Sequence, residues 1–172
     1  MTPPLSQPLK WAVLAVVSGV TVIGILTIGP PPRSLSGYPV IDVDSEDAEM
    51  NAAIARARGT LSTFWTSFGA PTQAETGHSL KVSFPAGDRV ELIWVADIKK
   101  LPNGSYLGRL ANDPRDVRGK RAGDPVEFTQ ADISDWMFMR RGKIVGGETI
   151  KPLLKSIPKA DADALRARME QP

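Results

Sequence analysis

Nineteen consecutive residues, 11–29 (WAVLAVVSGVTVIGILTIG), carry no charge and show no polar face, and this run constrains the chain more than any other feature. A helix rises about 1.5 Å per residue, so roughly twenty apolar residues cross the ~30 Å hydrocarbon core of a bilayer with every backbone bond made internally. Trp11 stands where an interfacial aromatic belongs, Lys10 can snorkel beside it, and Pro30, Pro31 and Pro32 stop the helix at the far side. A cleaved signal peptide is the competing reading. Its apolar segment is normally about 7–15 residues long and ends in an A-x-A-like site, whereas Ser34 and Ser36 ahead of Gly37 form only a weak version of one. Residues 1–29 are therefore expected to be an N-terminal transmembrane anchor, with the lipid bilayer as their partner. Lys10 and the terminal amine precede the run and Arg33 follows it, so a short tail inside and a domain outside, periplasmic or extracellular, is the favoured orientation.

What remains of the 172 residues is enough for one ordinary domain and not for two full cores. Residues 30–39, rich in Pro, Ser and Gly, read as a semi-extended spacer, and the domain is expected over 40–157 with a C-terminal tail over 158–172. Hydrophobic residues at 42% and charged residues at 23% suit a defined globular fold. Two of the 21 Lys and Arg (Lys10, Arg33) precede residue 34, so 19 cations face all 19 Asp and Glu in the domain. A balanced domain has no long-range field to hold a polyanion, which argues against nucleic acid as a partner. Cysteine is absent, which removes disulfides, thiolate nucleophiles and Cys-ligated metals. His78, the one histidine, cannot build a multi-histidine site within one chain, so neither a metal nor a cofactor is expected.

The clearest helical pattern covers residues 45–68, where Met50, Ile54, Ala57, Leu61, Phe64, Trp65 and Phe68 recur at three- and four-residue spacing. Asp44 is the expected N-cap and Gly69 the stop, with Gly59 weakening the middle. After Pro71 come short β-prone runs: 80–84, 90–98, 105–110 after a Pro-Asn-Gly turn, 126–129, and 136–139 turning over 140–143. In the second, Val90, Leu92, Trp94 and Ala96 alternate with Glu91, Ile93, Val95 and Asp97, which predicts a sheet covered mainly on one side, with the long helix as the cover. Residues 111–124 read as a surface loop, 149–156 as a short helix, and the tail as one exposed helix or a frayed end. The fold class expected is α+β: the transmembrane helix, then one long amphipathic helix packed on an antiparallel β-sheet.

No nucleophile elbow, phosphate loop or metalloprotease pair is present. His78 reads as a solvent-facing loop histidine. Asp113, Asp116, Asp124, Asp132 and Asp135 match no calcium-loop spacing, and with Arg115, Arg118, Lys120 and Arg121 interleaved they read as a solvated, self-compensating surface. The same basic residues could hold an anionic headgroup, an attraction that the nearby acids blunt. Ile133, Ser134, Asp135 and Trp136 are more pointed, since a carboxylate beside an indole at a strand entrance can orient an amide or a ligand. The structural alternative is that Asp135 caps a turn and Trp136 fills the core.

The ordered segments 80–84 (LKVSF), 91–95 (ELIWV), 108–114 (GRLANDP), 133–137 (ISDWM) and 142–150 (GKIVGGETI) resemble the uncharacterised bacterial YegJ-like domain, a family of unknown function. The resemblance covers residues 50–154 and implies an α+β domain with no assigned reaction. Trp94, Gly108, Asn112, Pro114, Asp135, Trp136, Gly146, Gly147 and Thr149 are the positions that carry it. Together these readings lead to a membrane-anchored, non-enzymatic binding module of the bacterial cell envelope, on the outer face of the inner membrane, with Asn112, Asp135 and Trp136 as the expected binding patch. The alternatives are a hydrolase using Asp113 or Asp135 with His78, and an envelope scaffold that works through anchor and spacer.

Overall fold

Gly59 and Thr60 divide the expected long helix in two. The computed structural model describes residues 48–170 except residue 88, so the anchor, the spacer and the Asp44 cap lie outside the described residues. Helix α1 (Ala48–Gly59) ends where Thr60, at φ −110° and ψ 11°, sends its N–H back to the carbonyls of Arg56 and Ala57. The Thr60 hydroxyl bonds the same two carbonyls, a local alternative to continuing the helix. Helix α2 (Leu61–Gly69) restarts at once and stops at the predicted glycine. The apolar stripe survives the break, with Met50, Ala53, Ala57, Leu61 and Phe64 all buried.

The sheet has six antiparallel strands: β1 (Glu75–Ala86), β2 (Arg89–Lys100), β3 (Tyr106–Leu110), β4 (Pro125–Phe128), β5 (Ile133–Arg140) and β6 (Lys143–Gly146), in the order β4-β3-β2-β1-β5-β6. The turn expected over 140–143 is a two-residue hairpin with Arg141 and Gly142 at φ 50° and 77°, the pairing of positive angles that suits a right-twisted ribbon. A 3₁₀ turn (Gln130–Asp132), helix α3 (Ile150–Leu153) and helix α4 (Lys159–Arg168) complete the described chain. No described helix is long and apolar enough to cross a membrane.

The sheet is covered on both faces, not mainly on one. Leu80, Val82, Ile93, Val95, Trp136 and Phe138 belong to a first core with Ala57, Leu61 and Phe64 of α1 and α2. Trp94, Met137, Met139 and Ile144 belong to a second, closed by Ile150 and Leu154 of the α3 segment and by Ala162 and Met169 at α4. In β2 the face toward α1 and α2 is the one carrying Glu91, Ile93 and Val95, while Val90 of the all-apolar set is 63% exposed. Pairing with β3 slips between Ala96 and Lys99, and Asp97 sits at φ 52°. That bulge shifts the alternation by one, so Ile98 joins the first core.

The stretch expected as a tail belongs to this second core. Met169 pairs in parallel with Ile144, and the Glu170 N–H donates to the Ile144 carbonyl at 2.7 Å. One exposed helix is indeed present, but its inner side carries Ala162 and half-buried Leu165 onto the sheet.

Candidate functional site

Lys81, Trp94 and Asp135 are cross-strand neighbours on the second-core face of β1, β2 and β5. Strand β5 begins at Ile133, and Ser134 is the extra residue of a bulge, its hydroxyl donating to the Lys81 carbonyl at 3.0 Å. Because of that bulge Ile133 and Trp136 both face the first core, while Asp135 lies beside Lys81 on the other face. Asp135 Oδ1 accepts the N–H groups of Trp136 (2.8 Å) and Glu148 (3.2 Å), and Oδ2 accepts the N–H and the hydroxyl of Thr149, both at 2.7 Å. Lys81 Nζ donates to the same hydroxyl at 3.1 Å and lies 5.5 Å from the centre of the Trp94 ring. Ammonium, hydroxyl and carboxylate thus form a buried relay that fixes the turn after β6 to the sheet. Burial pushes the Asp135 carboxyl above its ordinary pKa, against the pull of the Thr149 and Trp136 donors and of Lys81. Burial likewise holds the Lys81 ammonium below its usual value, with Asp135 opposing.

Asp135 and Trp136 are 0% and 4% exposed, so the patch expected from them is not on the surface. The reason is local: residues 133–140 form a strand buried along nearly its whole length, and Asp135 is interior to it rather than at its entrance. Trp136 donates its indole N–H to the Ala57 carbonyl at 2.9 Å, which ties α1 to the sheet. Gly146 lies so close beneath Trp136 that a Cβ there would overlap the Trp136 carbonyl and stand 2.7 Å from its ring. Asn112 is half-buried at the start of the loop, with Nδ2 donating to the Asp113 carbonyl, and Asp113 accepts the Ala122 N–H.

His78 is not in a loop but at a bulge of β1, half-buried, its ring stacked on Phe138 at 5.0 Å and edge-on to Phe64 and Phe68. It therefore lies on the first-core face, across the sheet from Asp135. Its Nε2 stands 2.8 Å from the Ser67 hydroxyl, a partnership that sequence spacing gave no reason to expect. Distance alone would suit a nucleophile and its base. Yet Ser67 is 6% exposed, and the adjacent Glu75 carboxylate is bound by the Thr72 N–H and the Arg140 guanidinium, which hold its pKa at about 2. Burial pushes the His78 imidazole below its ordinary pKa, with Glu75 opposing. The trio pins α2 to β1 and β5.

On the outer part of the second-core face, an open groove of about 390 Å³ runs along Asp97, Ile98, Lys99, Leu107, Gly108, Arg109 and Pro125. Leu107 is 36% exposed between the cross-strand neighbours Lys99 and Glu127, and Gly108 points inward, where a Cβ would overlap Val95. The signals for these residues were faint. Asp97 interrupts the spacing from Val95 to Ile98, and Lys81 is a cation between two core positions. No three His, Cys, Asp or Glu among the described residues are grouped to hold a metal.

A six-stranded antiparallel sheet between two helical covers, pinned on each face by a buried polar link, defines a small α+β domain. The chain belongs to the bacterial family described as "Uncharacterized protein conserved in bacteria (DUF2314)", which matches residues 47–168. "Uncharacterized protein YegJ" of Escherichia coli (strain K12) is 43% identical over 81 residues, 47% of this chain and 52% of that protein. "Putative ankyrin repeat protein NMB1133/NMB1171" of Neisseria meningitidis serogroup B is 32% identical over 120 residues, 64% of this chain and 47% of that protein. The chain thus spans about half the length of these curated relatives. No solved structure matches it.

Proposed function

We propose that this chain is a non-enzymatic binding module of the bacterial cell envelope, anchored in the inner membrane by residues 11–29 with its domain on the outer face, and that the β2–β3–β4 groove receives a short acidic and aliphatic segment of a partner protein. The groove carries the reading. It pairs an exposed leucine with two cations, Lys99 and Arg109, on adjoining strands, and its bulge residue Asp97 is held at a positive φ that non-glycine residues adopt rarely outside special sites. At about 390 Å³ it suits a few side chains and not a folded surface. The groups with chemical potential, by contrast, are tied into structure: Asp135 and Lys81 in the relay, Ser67 and His78 under aromatic rings. The charge-free N-terminal run supports the anchor.

Two measurements test this. Full-length protein should remain with membranes after a carbonate wash, and a shortened soluble form would overturn the anchor. In nanodiscs, fluorescein-labelled hexapeptides that combine Glu or Asp with Leu or Val should raise anisotropy on binding. Lys99→Glu or Leu107→Ser should weaken that binding by about tenfold or more while the fold persists. Equal binding by both variants, or none by any peptide of the panel, would overturn the groove.

A further inference from the structure

Helix α2 is a nine-residue cover set between a helix break and an exposed connection. It starts directly after the break at Thr60, and it runs out into residues 70–74, all of them exposed. Three of its residues on one face, Phe64, Ser67 and Phe68, meet a single imidazole on the sheet. The His78 ring stands edge-on to both phenylalanines at 5.7 Å, and its Nε2 lies 2.8 Å from the Ser67 hydroxyl. On its sheet side the ring stacks on Phe138 of β5 at 5.0 Å. The charged groups around it come from the sheet and not from α2, whose sequence LSTFWTSFG has no ionisable side chain. Glu75 of β1 is one, bound by the Arg140 guanidinium. Arg140 of β5 is the other; it lies 5.2 Å from the centre of the Phe138 ring and also binds Glu170.

We propose that His78 is an acid-sensitive latch, and that a proton on its ring loosens α2 from the sheet while the sheet itself stays intact. In the closed arrangement an imidazolium would sit half-buried among three aromatic rings, one of which already carries a guanidinium. It would find no counter-ion on the helix it holds, and the nearest carboxylate is shared with Arg140. With α2 lifted, the ring reaches water and takes a proton at its ordinary 6.5. Burial lowers the closed ring's pKa, so below 6.5 the open form binds more protons than the closed one. Closure is therefore at full strength above 6.5 and weakens as pH falls beneath it, until the ring's lowered value is reached. A ring neutral throughout closure would multiply the open population by up to about thirtyfold between pH 7.5 and 5. Glu75, held at a pKa of about 2, keeps its charge across this window and reduces the gain to several-fold. Opening bares the faces of Phe64, Phe68 and Phe138, an apolar surface offered only in acid.

Amide hydrogen exchange of the full-length protein in non-ionic detergent tests this, followed by mass spectrometry at pH 7.5 and pH 5 and corrected for the intrinsic pH dependence of exchange. The expected result is a several-fold faster exchange over α2 at pH 5, with α1 and β2 unchanged. In His78→Gln, whose amide can keep the bond to Ser67 but takes no proton, the rise should vanish. Exchange over α2 that ignores pH, or quickens equally in α1 and β2, overturns the latch. So does a rise of the same size in His78→Gln, which would assign the effect to another group, such as Asp135 on the far face of the sheet. A second measurement needs no variant. The chain has one histidine, so its imidazole C2 proton gives one resonance whose titration reads this ring alone. A midpoint below 6.5 is expected, and one at or above 6.5 overturns the proposal even if His78→Gln fails to fold.

Discussion

Asp135 accepts four hydrogen bonds with no exposed atom, so its two oxygens have to remain acceptors. Asp135→Asn would turn an amide NH₂ toward one of those donors and leave a buried N–H unpaired. We expect it to cost about 2–3 kcal/mol in denaturant unfolding. Peptide binding at the groove, corrected for folded fraction, should stay unchanged. An unaltered midpoint would overturn the relay as a structural element, and lost binding in fully folded protein would return Asp135 to the binding machinery. Sequence reasoning singled out this residue correctly as unusual but placed it at a strand entrance, because the apolar run becomes continuous only at Trp136. The missing signal was Ser134, a bulge residue whose effect on which way Asp135 points depends on a partner strand some fifty residues away.

The elements were legible where local pattern decides them and obscure where pairing does. The stripe from Met50 to Phe64, the Gly69 stop, the five expected strands and the short helix near 150 all follow from spacing and turn residues. Strand β6 was not separately expected, since four residues that include a glycine become a strand only beside β5. The side of the sheet that meets α1 and α2 was also misread, because the apolar count on β2 favours Val90 and Leu92 while packing favours Ile93 and Val95. Two glycines separate these influences experimentally. At Gly59 nothing lies within 4 Å of an added Cβ, so Gly59→Ala should stabilise the end of α1 by about 0.5–1 kcal/mol. At Gly108 a Cβ would overlap Val95 and come within 2.9 Å of the Ala96 carbonyl, so Gly108→Ala should cost about 1–3 kcal/mol. Chemical denaturation of both variants checks the pair, and a stabilising Gly108→Ala would contradict the close approach of β3 to β2.

At the scale of the molecule, two cores share one sheet, and among the described residues the second is closed mainly by segments after residue 146. The closing elements are short, mostly polar on their outer sides, and contribute few large residues each, which is why 158–172 read as a tail. Yet Ile144, Met137 and Trp94 are almost wholly enclosed, and part of that enclosure comes from Ala162, Leu165 and Met169. A chain ending at residue 157 would expose that face of β5 and β6 and lose the Met169 pairing with Ile144. Removing a single buried methionine side chain typically costs about 2–5 kcal/mol. We therefore expect Met169→Ala to lower stability by about 2 kcal/mol and the truncation to exceed that clearly, with new dye-binding apolar surface at the second core. Neither change touches residues 1–29, so on the proposed anchoring the truncated protein should still reach the membrane while its domain unfolds at lower denaturant. An unchanged midpoint after truncation would make α4 an appendage and leave the second core closed by the α3 segment alone.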